Sequence, residues 1–252
     1  MGKLIVIGSG IKSLAHLSKE TLVVMESSER LLYLVNDKVS SDYILNSHLN
    51  SESLEILYFK YQNRQDSYNA ITEKIICEYK QYSSLCVLLY GHPTFFADFA
   101  LDAVTRIRKQ GGQAIILPAI SSLDSLLADL LINPGKDGMA IYDATELLVH
   151  EHYINVYSYL ILYQVSNLGM KNHKISTYLG VLKEYLLGFY PEDHEVIIYS
   201  APQIPGLSFK LEVLELKCFE KASITHLSTV CLSPLKPKKV NYDILNYLGL
   251  IG

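Results

Sequence analysis

Arg64 and Tyr68 stand four residues apart in a stretch whose apolar residues, Ile71, Ile75 and Ile76, recur at helical spacing. On a helix that spacing puts both side chains on one face, within reach of each other. The pairing bears on acid–base chemistry. A phenol titrates near about 10, and a neighbouring guanidinium favours the phenolate, which is a base. Tyr58 and Tyr61 lie just upstream, in a chain with 19 tyrosines and no tryptophan. Several of so many tyrosines will serve as part-buried packing residues on amphipathic helices, so chemistry needs more than their presence.

A second stretch concerns binding. Leu85–Leu89 is a continuous apolar run, as in a strand buried on both faces of a parallel sheet. It meets Tyr90-Gly91-His92-Pro93, which forces a tight turn, and Phe95 and Phe96 follow. Ligands of open α/β sheets bind just beyond the carboxyl ends of strands, so this turn is expected to line a ligand site. His92 has an alternative use, satisfying local backbone within the turn.

The elements that must hold these residues alternate. Strand Leu4–Ile7 runs into Gly8-Ser9-Gly10, a turn that ligand or chain approaches closely. Ser13 occupies the place of a third glycine, so the dinucleotide fingerprint is incomplete. Helix 18–29, strand 31–35, a polar irregular segment 37–53 and a long helix 54–79 come next. After strand 85–89 follow helix 99–110, closed by Gly111-Gly112, strand 114–117, and helix 121–131, opened by Ser121-Ser122 with Asp124 in its first turn. Asn133-Pro134-Gly135 reads as a loop. Beyond it, strands 139–142, 157–165, 196–199, 211–217 and 229–232 enclose helices 174–187 and 221–224. The pattern predicts an α/β chain of two domains: 1–132 with a mostly parallel sheet, and 133–252 with a mixed sheet. The basic, proline-containing stretch Pro234-Leu-Lys-Pro-Lys-Lys239 is expected to run over the surface.

Composition narrows the class. With 252 residues, 49% hydrophobic, the chain is globular, and its net charge of -4 argues against nucleic acid or an anionic membrane as partner. Cys77, Cys86, Cys218 and Cys231 form no Cys-x-x-Cys pair, and the eight histidines no His-Glu-x-x-His. Neither a metal nor a disulfide scaffold is indicated, and a cytoplasmic location is expected.

Taken in order, Ile5-Val-Ile-Gly-Ser-Gly10, Tyr90-Gly-His-Pro93, Leu117-Pro-Ala-Ile-Ser-Ser122 and Ser228-Thr-Val-Cys-Leu-Ser-Pro234 resemble the tetrapyrrole methylase superfamily over nearly the whole chain. Within it, Tyr58-x-x-Tyr61, Arg64-x-x-x-Tyr68 and Tyr90-Gly-His-Pro-x-x-Phe96 look like the methyltransferase domain of borosins. Ala128-Asp-Leu130, Asn133-Pro134, Tyr142-Asp-Ala-Thr145, Leu162-Tyr-Gln-Val165 and Asp193-His-Glu-Val-Ile-Ile-Tyr199 fit the same family. Ser121-Ser-Leu-Asp124 replaces a Ser-Ala-Glu-Asp type sequence, and the Tyr61–Arg64 spacing is shorter than in fused fungal members.

The resemblance implies a homodimeric, two-domain enzyme using S-adenosylmethionine, with S-adenosylhomocysteine as product, to N-methylate backbone amides of a ribosomally made precursor. It implies Arg64, Tyr68 and Tyr90 as catalytic residues, with Tyr58 and Tyr61 beside them. Tyr68, or a phenolate shared with Tyr58 and Tyr61, would abstract the amide proton while Tyr90 aligns amide and methyl. Cofactor contacts fall on Tyr90, His92, Phe95, Phe96, Ser121, Gln164, Ala201, Ser228 and Thr229. Gln164 lies inside an expected apolar strand, where its amide needs a partner. The printed sequence stops at Gly252 without a clasp or a core peptide, so the expectation is a split enzyme acting on a separate precursor. The alternatives are a tetrapyrrole, diphthine-precursor or ribosomal RNA methylase of the same superfamily, and a non-catalytic partner that recognises only a leader peptide.

Overall fold

The computed structural model describes residues 2–250 apart from 173, 177 and 239. It divides into two compact units. The first comprises Met1–Ile132, Gly169–Ile175 and Tyr199–Lys210, and the second Asn133–Leu168, Ser176–Ile198 and Leu211–Gly252.

Through residue 132 the elements run β1 (Lys3–Gly8), α1 (Lys19–Ser27), β2 (Arg30–Leu34), α2 (Lys38–Ser47), β3 (Ser51–Ser53), α3 (Glu55–Tyr58), α4 (Arg64–Gln81), β4 (Ser84–Leu89), α5 (Asp98–Lys109), β5 (Gln113–Ile116) and α6 (Ser122–Asp129). Five strands form one sheet in the order β3-β2-β4-β1-β5, and each recorded pairing is parallel. The apolar runs are continuous because both faces of this sheet are covered. Leu4, Val6, Leu85, Val87 and Leu89 pack on one side with Ile71, Ile75, Ala100, Ala103 and Val104 of α4 and α5. Ile5, Ile7, Cys86 and Leu88 turn the other way, toward Met25 and Ile44 of α1 and α2.

The second part of the chain runs α7 (Pro134–Asp137), β6 (Met139–Asp143), α8 (Ala144–Val149), β7 (Tyr159–Tyr163), α9 (Leu179–Leu187), β8 (Glu195–Ser200), β9 (Lys210–Glu215), β10 (Thr229–Leu232) and α10 (Tyr242–Tyr247). Its sheet has the order β6-β7-β10-β8-β9 and is mixed, with β6 parallel and β10 antiparallel to β7. Leu160, Leu162, Val196, Ile198, Val230 and Leu232 gather with Leu147, Leu182, Leu186 and Phe219 into a separate core. The expected parallel first sheet and mixed second sheet are both present.

Local departures have physical causes. The expected helix 54–79 breaks at residues 59–63, because Asn63 adopts extended backbone and its side chain accepts from Gln65 N at 3.1 Å, capping α4 afresh. Segment 37–53 is not irregular. Asp37 caps α2, whose buried residues are Ser40 and Ile44, so it carries almost no apolar stripe. Asn133-Pro134-Gly135 opens the short α7, with Asn133 accepting from Gly135 N. The expected helix at 221–224 is replaced by a 3-10 turn over Leu216–Lys221, and α9 starts at Leu179 rather than 174, with Thr177 outside the described residues. The basic tail is not wholly superficial: Pro234 is buried, Leu235 N bonds Val156 O at 2.8 Å, and Lys238 pairs with Asp137 at 2.5 Å. Lys239 and Gly252 lie outside the described residues. Among the described residues no helix is long and apolar enough to cross a membrane.

Candidate active site

The turns that end β1 and β4 are joined. Gly10 and Gly91 form an isolated antiparallel bridge, Gly91 N to Gly10 O at 3.0 Å and Gly10 N to Gly91 O at 3.3 Å. Both have a φ of +71°, the left-handed region that favours glycine. A Cβ on Gly8 would lie 2.1 Å from Gly91 O and 2.6 Å from the Ala119 Cβ. The close approach that the glycines permit is therefore by chain.

Beyond the bridge, His92 Nδ1 accepts from Thr94 N at 3.3 Å and lies 3.0 Å from Thr94 Oγ1, so this nitrogen serves the turn. Phe95 and Phe96 meet edge to face with centroids 4.9 Å apart, and Phe96 has a φ of +57°. Left-handed backbone at a bulky residue costs about 1–3 kcal/mol and is concentrated at ligand-contacting positions. Gln164 is another such residue, φ +55°: it does not sit within a strand, because β7 ends at Tyr163 and Gln164 turns the chain.

Tyr90 continues the ladder of β4, its N donating to Leu34 O at 2.9 Å. Its hydroxyl accepts from Gln203 Nε2 at 3.3 Å, and the Asn36 side chain also bonds it. Burial pushes the phenol's pKa up; the bonds from Gln203 and Asn36 act against that, and the Asp37 charge adds to it. Gln203 is itself fixed, since its carbonyl accepts from Ser13 N at 2.7 Å. Ser13 Oγ donates to Asp37 Oδ1 at 2.8 Å.

At the amino end of α4, Arg64 and Tyr68 share the first turns as expected. The Arg64 N–H, one of the donors a helix start leaves unused, reaches Lys171 O at 2.8 Å. Tyr68 stacks obliquely on Tyr58 of α3, centroids 6.1 Å apart, and edge-on to Phe99, 5.3 Å apart. The Tyr68 pKa is raised well above its ordinary 10.0. Burial is the largest cause, the Tyr58 charge and hydrogen bond add to it, and Arg64 pulls the other way. Arg64 thus acts in the expected direction but does not outweigh burial. Tyr61 stands outside this cluster, 37% exposed, with Lys60 Nζ over its ring at 5.2 Å.

Ser121 is committed to α6 in a capping box, its Oγ 2.6 Å from Asp124 Oδ2. Ser228 Oγ accepts from Thr225 N at 2.9 Å, and Thr229 opens β10, 3% exposed. Ala201 follows β8, half-buried. Tyr199, 1% exposed, donates to Asp129 Oδ2 at 2.6 Å. Sequence reasoning missed Gln203, Asn36 and Lys171. None lies in a chemically suggestive motif, and Gln203 meets Tyr90 across 113 positions.

For S-adenosylmethionine the donor set fits in kind: two aromatic rings at a strand-end turn, a left-handed Phe96 backbone, and His92 fixed by Thr94. These groups suit a flat heterocycle and an aminoacyl chain.

A model of the Tetrapyrrole (Corrin/Porphyrin) Methylases matches residues 3–201. A methyltransferase/ribosomally synthesized cyclic peptide dendrothelin A precursor from Dendrothele bispora is 31% identical, over 99% of this chain and 62% of its own length. A methyltransferase/type I borosin cyclic peptide precursor from Coprinopsis marcescibilis is 30% identical, over 99% of this chain and 67% of its own length. The chain thus spans about three fifths of the first such relative, 62%. Among solved structures, uroporphyrin-III-C-methyltransferase from Thermus thermophilus superposes with a TM-score of 0.65 at 17% identity, covering 94% of this chain and 98% of that one. A second structure of that enzyme, complexed with S-adenyl homocysteine, gives 0.63 at 13% identity, covering 92% of each chain.

Proposed function

Because this chain belongs to the tetrapyrrole methylase family, we propose that it is an S-adenosylmethionine-dependent methyltransferase that N-methylates backbone amides of a ribosomally made peptide supplied as a separate chain. The observation that carries the reading is the cluster of Tyr58, Tyr68 and Arg64 where α3 meets α4. The relatives that match over 99% of this chain each pair a methyltransferase with a cyclic peptide precursor, which supports a peptide substrate.

An amide nitrogen is a poor nucleophile because its lone pair is delocalised into the carbonyl. Methylation needs a base for the N–H and a hydrogen-bond donor for the carbonyl oxygen, on which charge grows. When bound, S-adenosylmethionine supplies an electrophilic methyl group on a sulfonium. Phe95, Phe96 and the His92 turn would hold it, with Ser121 and Ala201 of the same unit as further contacts.

Tyr68 takes the amide proton on its phenolic oxygen. Burial makes its phenolate scarce but strongly basic, which matches so weak an acid, and Arg64 is the cation recorded as opposing that burial. Tyr58 shares a hydrogen bond with it. Tyr61, exposed to solvent, would meet the incoming peptide, and Tyr90 would bind the amide. A tetrapyrrole, RNA or diphthine-type substrate calls for no such phenol–guanidinium set, and a leader-binding partner calls for no base.

The test mixes this chain with S-adenosylmethionine and, as a separate peptide, the part of the Dendrothele bispora relative that lies outside the match. Fragmentation mass spectrometry should find CH₂ increments on backbone nitrogens. Calorimetric binding of S-adenosylmethionine without any increments removes the peptide assignment. Absence of binding removes the methyltransferase reading.

A further inference from the structure

Gln203 lies on Tyr199–Lys210, a segment of the first unit, and its side chain reaches the Tyr90 hydroxyl. The direction of that bond matters. A phenol has one proton to give, and when its oxygen accepts from an amide N–H the proton is left for another acceptor. Asn36 bonds the same hydroxyl and also favours the oxygen as acceptor. Neither side chain is a base that would take the proton. Asp37 is the charged group recorded as facing the phenol, and its carboxylate is engaged by Ser13 Oγ at 2.8 Å and by Ser40 N at 2.8 Å. Burial keeps Tyr90 protonated at neutral pH. The two amide donors polarise the phenol and make its O–H a stronger hydrogen-bond donor, while burial and the Asp37 charge oppose loss of the proton itself.

We propose that Gln203 is a positioning residue that holds Tyr90 as hydrogen-bond donor to the carbonyl oxygen of the amide being methylated. This rests on the peptide N-methylation reading above. As the amide proton leaves for the base, its electron pair spreads to the carbonyl oxygen, and the Tyr90 O–H strengthens its bond there without giving up its proton. Only hydrogen bonds change at Tyr90 and Gln203. The Gln203 backbone is anchored independently through its carbonyl to Ser13 N, so a side-chain substitution reads the Tyr90 contact.

The test compares the full chain with Gln203→Leu and Gln203→Glu, using the separate peptide described above, thermal unfolding and calorimetric S-adenosylmethionine titration. Gln203→Leu, which lacks the amide donor, should lower kcat about 10-fold, below the ~100-fold loss typical when an oxyanion donor itself is removed. Peptide KM and cofactor Kd should stay within about twofold, since the contact matters most as charge develops. Gln203→Glu should be slower than Gln203→Leu near neutral pH, because its carboxylate accepts a hydrogen bond from the Tyr90 O–H and draws it away from the amide carbonyl. Its rate relative to the unsubstituted chain should rise as pH falls and the carboxyl becomes a donor.

The role is overturned if Gln203→Glu matches or exceeds Gln203→Leu, if that ratio is flat with pH, or if the loss lies wholly in KM or Kd. Should Gln203→Leu fail to fold, the similarly shaped Gln203→Glu carries the comparison. Unfolding of both would mark a structural residue and overturn the proposal. Methylation by the unsubstituted chain with both variants unaffected removes this role alone. No methylation by the unsubstituted chain removes the parent reading and this role together.

Discussion

Gly10 and Gly91 exchange backbone hydrogen bonds at 3.0 and 3.3 Å, closing the turns after β1 and β4 onto each other beside Gly8. Because a Gly8 Cβ would meet backbone at 2.1 Å, relief requires the bridge to move. Gly8→Ala should cost about 3 kcal/mol, lowering Tm by roughly 6–12 °C. A melting curve unchanged from the parent would show that the bridge yields cheaply.

Tyr68→Phe removes the oxygen and keeps the ring that packs on Tyr58 and Phe99. Methylation should be lost while S-adenosylmethionine affinity stays within about twofold, as expected for an interaction made only in the transition state. Normal turnover by the Phe variant would exclude Tyr68 as the base.

The raised pKa of Tyr68 fixes the shape of the pH profile. A base whose protonated form persists above pH 10 is active in a fraction that grows with each pH unit. The rate should climb from neutral through alkaline pH without a plateau below 10.0, the ordinary tyrosine value. Arg64→Leu should lower the rate further at neutral pH, because a cation that favours the phenolate is gone. A plateau near neutrality would place the titrating group elsewhere.

A charge network fastens the far half of α4. Arg30 bonds Glu78 at 2.9 Å and also Glu52, while Lys74 bridges Glu78 at 2.7 Å and Glu52 at 3.1 Å. Burial raises the Glu78 pKa, but the bonds and charges of Arg30 and Lys74 together bring it below its ordinary 4.5. A carboxyl depressed in the folded state contributes stability above the unfolded value and loses it as pH falls through the folded one. Urea unfolding midpoints should therefore decline below about pH 4.5. In Glu78→Leu, which strands the 9% exposed Arg30, stability should drop by about 3 kcal/mol at neutral pH and that acid decline should shrink. A variant with an unaltered acid limb would show the decline arises at other carboxyls.

The sheets were legible because runs such as Leu85–Leu89 must be covered on both faces, and Gly111, φ +77°, marked the end of α5. The Ser121–Asp124 capping box was equally readable, being a local contact. What escaped was either apolar-poor or distant in sequence. Helix α2 hides behind its polar stripe, and the Asn63 cap that splits α3 from α4 was outweighed by the periodicity of Ile71 and Ile75. Arg64 and Tyr68 were paired correctly by spacing. Whether burial or arginine governs the phenol depended on Phe99 and Tyr58, which spacing does not place.

The 113 positions between Tyr90 and Gln203 also set a clock. At translation rates of about 5–20 residues per second, Tyr90 emerges on the order of ten seconds before its amide partner is made. During that interval its hydroxyl has Asn36 within the nascent chain but not Gln203. The cradle is therefore assembled late, after the parallel sheet around it already has all five of its strands in hand.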